Sequence, residues 1–443
     1  MSAKEQAKAE PQLKRTVGLW QLALYALGSM LGSGIYGLIG QAAGLVGNAV
    51  WLSFCVALVA ALMTALSYAS LGSRHPRAGG AAYVTQRAYR IPLLSFVVGL
   101  ALVCSGLTSV ATQSRVFAAN ISALLGVTSL PAEFVALGFM LILAGIVFRG
   151  IQESMWANVV CTLIEAGGLL IVLAAGMSYW GSVDLLEIPP EKADSSLAYL
   201  VMLGSVLTFF AFIGFEDTIN VAEEVKDPQR NVPIGLVMAT LTAAVLYIAV
   251  AITAVSVVPW RELAAAPAPL GAVMERAAPG FPPWIMVFIT LFSVGNTALV
   301  NYITASRLIY GMSRQGLLPR QLGVIHATRQ TPHFAVFALL AVLVPLGLIG
   351  SIAELASATV LLLLFVFAIV NGALIILKLR PGEKTGLFEV PLAVPVVGAV
   401  VCVILILFRV VTGHGLATAI AGGLLAGILA IYALLRPRPL EDA

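Results

Sequence analysis

Charged residues are scarce in this chain, and so are histidine and cysteine. Asp, Glu, Lys and Arg make up 10% of the 443 residues, whereas soluble domains carry about 25%. Hydrophobic residues account for 60%, and the mean hydropathy is +0.99. This composition excludes a soluble globular protein and predicts an all-α integral membrane protein.

Several common functional motifs are missing as well. The sequence has no Walker loop, dinucleotide fingerprint, zinc pattern or catalytic triad. We therefore expect that the protein is not an enzyme. We also expect no resident cofactor, no metal and no nucleic-acid partner. Lipid is the expected surrounding, and a monomer and a homodimer are both compatible with the sequence. The four cysteines lie inside apolar segments without disulfide or metal-ligand spacing: Cys55, Cys104, Cys161 and Cys402.

Apolar segments of spanning length, roughly 20 residues each, recur along the whole chain. We predict polar tails at 1–16 and 436–443 and an acidic external loop at 181–197. The N-terminal tail has no cleavable signal pattern, so the first apolar segment is expected to remain as a span. The twelve predicted spans are 17–43, 46–71, 92–123, 131–148, 154–180, 198–224, 233–258, 283–313, 333–350, 353–378, 391–411 and 415–435.

The positive charges indicate the orientation of these spans. If the N-terminus is inside, nineteen of the 25 Lys and Arg residues fall in inner segments and four in outer segments. Basic residues are enriched on the cytoplasmic side of a membrane. We therefore expect a multi-pass protein of the cytoplasmic (inner) membrane with both termini in the cytoplasm.

The first span contains an unusual run of small residues, Gly28-Ser29-Met30-Leu31-Gly32-Ser33-Gly34-Ile35. Glycine costs a helix about 1 kcal/mol relative to alanine, and backbone groups freed inside a membrane find no water. The run is therefore either a helix-packing seam or a break in the helix. A break aims N–H groups to one side and carbonyls to the other, which suits a ligand with a carboxylate and an amine.

The sixth span is interrupted at a similar depth. Gly214 is followed within three residues by Glu216 and Asp217, which do not suit a lipid-facing helix. Because spans one and six run in opposite directions, the two breaks predict an inverted repeat, with 17–180 matching 198–378 and residues 379–435 outside it. Phe212 and Phe215 beside the second break are candidate gates, with ordinary core packing as the alternative.

Glu165 lies about 14 residues into the fifth span, near the bilayer midplane at 1.5 Å per residue. No Lys, Arg or His lies within a helical turn of it. Such a carboxylate must be protonated, paired across helices or exposed to water. We predict that it takes up and releases a proton, and a structural hydrogen bond to a neighbouring helix is the alternative.

Five segments, spread in order over most of the chain, resemble the amino acid–polyamine–organocation superfamily, in particular bacterial relatives of cationic amino acid transporters. The resemblance implies a LeuT-type fold of two five-helix inverted repeats plus two helices, with helices 1 and 6 broken. The matching segments are Gly28 to Ile35, Pro76-Arg77-Ala78-Gly79-Gly80 with Tyr83, Phe210 to Glu216, Glu223-Glu224-Val225-Lys226-Asp227-Pro228 with Arg230 and Pro233, and Ala305-Ser306-Arg307 through Pro319.

The resemblance also implies a substrate site. The substrate carboxylate would meet N–H groups and the hydroxyl around Gly32, Ser33 and Gly34. The substrate amine would meet carbonyl groups at a second set of positions. These positions are Met30, Phe210, Ala211 and Ile213.

The residue at position 165 departs from the family pattern. Some proton-coupled relatives carry a Lys there, which stands in for a bound sodium ion, and others carry a neutral residue. Glu165 reverses that charge. Three partners for Glu165 are therefore compatible with the sequence: a proton, Na⁺ or a basic group of the substrate.

The sequence thus predicts a secondary active transporter of amino acids that works by alternating access and is driven by the proton motive force. A polyamine or amine permease is an alternative, because Glu165, Glu216 and Asp217 would suit additional positive charge. An amino acid exchanger is a second alternative, and a non-transporting amino acid sensor is a third.

Overall fold

The computed structural model describes residues 15–75, 80–125, 131–149, 155–192, 194–326, 329, 331–413 and 415–437, without the side chains of 155–157, 220 and 223. Most of the two predicted tails and the Pro76-Arg77-Ala78-Gly79 motif lie outside these residues. Regular structure within them is helical, apart from one isolated β-bridge. The helices are α1 Leu19–Met30, α2 Ser33–Tyr36, α3 Ile39–Val46, α4 Val50–Arg74, α5 Gly80–Tyr89, α6 Pro92–Leu125, α7 Ala132–Arg149, α8 Met155–Gly176, α9 Leu197–Phe209, α10 Pro228–Val257, α11 Trp260–Ala265, α12 Pro269–Ala277, α13 Pro283–Arg314, α14 His333–Leu348, α15 Ile352–Leu379, α16 Ala393–Thr412 and α17 Leu416–Leu435.

Ten helical segments of the described chain are long and apolar enough to cross a membrane. An all-helical membrane protein is therefore confirmed. The helix α14 is also apolar but shorter, with 16 residues. The first predicted span is not among the ten because its helix ends after the 12 residues of α1.

The start of the seventh span differs from the prediction. We expected the helix to begin near Pro233, but α10 begins at Pro228, which suits the first turn of a helix equally well. Pro233 therefore lies inside α10 and has no N–H for the carbonyl of Gln229. Ser73 Oγ donates to that carbonyl at 2.9 Å. A hydroxyl of α4 thus replaces the hydrogen bond that the proline removes.

The predicted external loop packs on the turn between α3 and α4. The Asn48 amide donates to the carbonyl of Asp184 and to Glu187 Oε2, at 3.0 Å each. Trp51 Nε1 donates to the carbonyl of Leu185 at 3.1 Å. Lys192 Nζ donates to the last carbonyls of α3. We call residues 184–192 with these contacts the outer clamp.

The start of the first predicted span is joined to the end of the sixth. The N–H of Val17 donates to the carbonyl of Glu224 at 3.0 Å, and the N–H of Lys226 donates to the carbonyl of Val17 at 2.9 Å. The pair Val17–Val225 forms the isolated parallel bridge. The chain just before α1 is therefore held to the end of the sixth predicted span.

An ion-pair cluster ties α4 to the segment after α15. Glu389 accepts from Arg74 Nε at 2.7 Å and from Lys378 Nζ at 2.6 Å. The Gly386 N–H adds a hydrogen bond of 2.9 Å. Burial raises the pKa of the Glu389 carboxyl, but the hydrogen bonds outweigh it and lower the pKa to about 2.

Candidate functional site at the two helix breaks

The first break begins where α1 ends at Met30. Leu31 and Gly32 both have extended backbones, and α2 starts at Ser33. A Cβ added to Gly32 would lie 2.9 Å from Thr297 Oγ1 and 3.3 Å from Gln113 Nε2. Position 32 therefore has no room for a side chain, because α6 and α13 crowd it from two sides.

Hydroxyl groups of neighbouring helices bind the carbonyls that the break exposes. Tyr247 Oη of α10 donates to the carbonyl of Met30 at 2.8 Å. Thr297 Oγ1 of α13 donates to the carbonyl of Leu31 at 2.9 Å. Ser293 Oγ also donates to the carbonyl of Leu31, at 3.5 Å. These bonds stabilise the break, and the second lone pair of the Met30 carbonyl leaves acceptor capacity there.

The second break follows α9, which passes into a single 3₁₀ turn at Phe210–Phe212. Ile213 is extended, and Gly214 has a φ of 122°, in the region that favours glycine. A 3₁₀ helix then runs from Phe215 to Glu224. Glu216 Oε2 accepts the Gly214 N–H at 2.9 Å, so one of the two carboxylates that marked this break stabilises it.

The two breaks pack directly against each other. A Cβ added to Gly34 would lie 2.3 Å from the Cα of Ala211, and one added to Gly214 would lie 2.3 Å from the carbonyl oxygen of Ser29. In both cases the added Cβ would meet a backbone atom of the other break. The glycines of each break are therefore required by the close approach of the other.

A small cavity lies at this contact. Six of the seven predicted substrate residues line it: Met30, Gly32, Ser33, Gly34, Phe210 and Ile213. The seventh, Ala211, packs on Gly34. Further walls come from Ser29, from Ser109 and Gln113 of α6, and from Thr297 and Asn301 of α13.

Two polar groups of this cavity are arranged in a way that the sequence did not suggest. The Ser33 N–H, predicted to meet a carboxylate, donates to Gln113 Oε1 at 3.2 Å. Ser33 Oγ is buried and has no hydrogen-bond partner among the described residues. Asn301 Nδ2 donates to Ser109 Oγ at 3.0 Å across the cavity wall.

Ser109, Gln113 and Thr297 were not predicted as site residues, although the sequence carries a signal for them. Ser109 and Gln113 are four residues apart in α6, and Thr297 and Asn301 are four apart in α13. Residues at that spacing share one helix face. Two polar pairs on otherwise apolar spans therefore indicate faces that avoid lipid.

A larger cavity adjoins the first and shares Ser109, Ile213 and Asn301 with it. It extends past Glu216 and Asp217 to the start of α5 at Gly80. The two cavities together lead from the breaks towards the end of the helices where α5 lies. No group of three or more His, Cys, Asp or Glu side chains converges anywhere in the described parts of the chain.

Glu165 is fully buried in α8 (0% exposed). Its Oε1 accepts from Asn296 Nδ2 of α13 at 3.2 Å, while Oε2 has no partner in the described structure. The hydroxyl of Tyr36, just past the first break, donates to the backbone carbonyl of Glu165. No Lys, Arg or His among the described residues forms an ion pair with it.

The two candidate gates lie in the core. Phe212 stacks edge-on against Tyr247 with ring centroids 5.3 Å apart. Phe215 contacts Tyr68 and Phe367 at 5.8 and 5.1 Å. Both are fully buried, and neither lines the two cavities described above. Their role as gates stays a prediction.

Comparison with known proteins shows the family of the chain. A family model described as amino acid permease matches residues 17–427. The branched-chain amino acid permease BcaP of Bacillus subtilis is 27% identical over 412 residues, which cover 88% of this chain and 86% of the permease. The methylthioribose transporter of the same organism is 28% identical over 426 residues, which cover 91% and 89%.

A mammalian transporter is similar to the chain over much of its length. Cationic amino acid transporter 4 of Mus musculus is 26% identical over 400 residues, which cover 85% of this chain and 62% of the transporter. The resemblance drawn from the motifs is thus confirmed. The chain belongs to the amino acid permease family, and it is a membrane transporter rather than an enzyme.

Proposed function

We propose that the chain is a secondary active transporter that carries amino acids across the cytoplasmic membrane by alternating access. The observation that carries this proposal is the pair of broken helices packed against each other around a buried polar cavity. Discontinuous helices at the midplane bind both ends of a zwitterion in transporters of this kind. A channel would instead need a continuous polar path.

The proposed architecture is twelve spans, with repeats at 17–180 and 198–378 and two further helices in 379–435. The amino acid permease family implies a LeuT-type fold, and each proposed repeat begins with a broken helix. α1 to α3 would together form the first span, and α14 the ninth. The excess of Lys and Arg in inner segments supports cytoplasmic termini.

The proposed substrate pose follows the polarity of the breaks. The carboxylate would lie at Gly32, Ser33 and Gly34, where the second part of the first span begins. The ammonium group would lie near the carbonyls of Met30 and of 210–213, at the end of α9, where the helix dipole is negative. Tyr247 would hold the carbonyl of Met30 in place, and Thr297 the adjacent carbonyl of Leu31.

Glu165 is proposed to carry the coupling proton. It is buried with one oxygen unpaired, and the described structure places no cation beside it. Its neighbour Asn296 belongs to the helix that also binds the carbonyl of Leu31 through Thr297. Protonation of Glu165 would therefore act on the helix that contacts the first break.

Uptake by proteoliposomes tests the transport proposal. Purified protein is given labelled amino acids and polyamines, with and without an inward proton gradient. Accumulation of an amino acid that a protonophore abolishes supports the proposal. Uptake that requires substrate preloaded inside the liposomes would indicate an exchanger. Uptake of polyamines alone would indicate an amine permease, and binding without flux would indicate a sensor. Methylthioribose belongs in the panel because one relative is named for it.

A substitution tests the role of Glu165. We expect Glu165→Gln to fold, since the amide fits the same site beside Asn296, and to lose the rise of uptake with falling external pH. Glu275→Gln, on the exposed face of α12, is the matched control and should keep that rise. An unchanged pH dependence in Glu165→Gln would remove the residue from the coupling mechanism.

A further inference from the structure

Gln113 lies between the first break and the cavity. It projects from α6, is 1% exposed, and lines the cavity beside Gly32. Its Oε1 accepts the Ser33 N–H at 3.2 Å. A side-chain amide carries its acceptor and its donors on one planar group, so the bond to Ser33 also determines where Nε2 lies.

The donors of this side chain remain available. Nε2 would be 3.3 Å from a Cβ placed on Gly32, so it lies close to the first break. No described residue accepts a hydrogen bond from it. Ser33 lines the same cavity, and its Oγ is buried and also without a partner in the described structure. Two residues that line one cavity therefore each carry a side-chain donor with no acceptor among the described residues.

We propose that Gln113 Nε2 and Ser33 Oγ together bind the carboxylate of the substrate, and that the Ser33 N–H acts through Gln113 rather than on the substrate directly. This inference rests on the proposed function, because it requires a carboxylate at the first break. The bond from Ser33 polarises the Gln113 amide, and consecutive hydrogen bonds strengthen each other in a buried site. Gln113 thus selects a carboxylate over an amine that lacks one.

Equilibrium binding to the purified full-length chain tests this selection. The twenty amino acids are first measured on the wild type. The amino acid that binds is then paired with its decarboxylated amine, for example L-leucine with isoamylamine or L-lysine with cadaverine. The two members of a pair differ only in the carboxylate, so the ratio of their affinities isolates its recognition.

Two substitutions remove the donor in different ways. Gln113→Glu keeps an acceptor for the Ser33 N–H but replaces Nε2 with a second oxygen. We expect it to weaken amino acid binding at least about tenfold, because a hydrogen bond to a charged group is lost, and to leave amine binding unchanged or stronger. Gln113→Met removes both polar atoms at similar size and should weaken amino acid binding about tenfold.

The pH profile separates recognition from a merely structural role. Lowering the pH protonates the carboxyl group introduced by Gln113→Glu and restores an O–H donor. Amino acid binding should then recover relative to the wild type at the same pH. Gln86→Glu is the matched control: Gln86 Oε1 also accepts a hydrogen bond, from Ser95 Oγ, but it lies outside the cavity.

The possible outcomes separate the two proposals. Equal weakening of amino acid and amine, or unchanged amino acid binding in either variant, overturns the role of Gln113 and leaves the transport proposal intact. If the wild type binds no amino acid, the proposed function itself fails. If Gln113→Glu does not fold, the affinity ratio in Gln113→Met decides.

Discussion

At the scale of single residues, the site depends on glycines that let two backbones touch. Gly34 and Gly214 each face the backbone of the opposite break, and Gly214 also has a positive φ. An α-carbon without a side chain is what allows the carbonyls and N–H groups of both breaks to reach one small cavity. Stability and the shape of the cavity are therefore coupled at these two positions.

Replacement of Gly214 should show this coupling. We expect Gly214→Ala to lower the free energy of unfolding by about 3 kcal/mol or more, because backbone strain of about 1–3 kcal/mol adds to the clash with Ser29. Thermal unfolding in detergent measures it. Gly145→Ala is the control, since nothing lies within 4 Å of that added Cβ and alanine is the better helix former. Equal midpoints for the two variants would contradict this account.

Residue types in the sequence were enough to predict which segments form the site, but not all of its contacts. The glycines between Gly28 and Gly34 indicated the first break because they are poor helix formers. The bond between Gln113 and Ser33 joins residues 80 positions apart. Such a contact depends on how α6 packs against the break, and local sequence carries no information about that distance.

At the scale of elements, the outer clamp holds the end of the first span from the extracellular side of the proposed topology. Asn48 lies in the turn between α3 and α4 and binds two residues of the loop. Gly47 beside it packs on the carbonyl of Glu187.

Loss of the Asn48 amide should loosen the clamp. We expect Asn48→Ala to speed amide hydrogen exchange in 184–188 by roughly 5- to 160-fold, since two hydrogen bonds of about 0.5–1.5 kcal/mol each are lost. Mass spectrometry of exchanged peptides measures it. Asn231→Ala removes one bond at the opposite end of the molecule and is the control. Unchanged exchange in 184–188 would show that Asn48 does not hold the loop.

The elements themselves were predicted unevenly. Long apolar segments such as α6 and α15 follow from composition alone. The helices α11 and α12 were missed because they are short and lie between spans, where hydropathy gives no signal. The start of α10 was predicted at the wrong proline. Pro233 can lie inside the helix because the Ser73 hydroxyl, which comes from another helix, bonds the carbonyl that Pro233 leaves unpaired.

At the scale of the whole molecule, the cluster around Glu389 connects distant parts of the chain. Arg74 ends α4 in the first proposed repeat, and Lys378 lies in the last turn of α15 in the second. Because hydrogen bonds hold the pKa of Glu389 at about 2, folding favours its charged form. The cluster thus stabilises the fold at every pH above the usual range of a carboxyl group.

This linkage has a defined pH window. The pKa of Glu389 is lowered from 4.5 to about 2, so its contribution is complete above about pH 4.5 and is lost as the pH falls to about 2. We expect Glu389→Gln to lower the thermal midpoint by a constant amount from pH 8 to 5, and the gap to the wild type to narrow below that. A gap that stays constant down to the acid limit would contradict the assigned ionisation.

The pairing of Val17 with Val225 has a consequence for the kinetics of transport. Because main-chain hydrogen bonds join the start of α1 to the end of the Phe215–Glu224 segment, neither of these two ends can swing away without the other. We therefore expect these two ends to move as one unit, so that a single rate constant, rather than two successive ones, describes their movement.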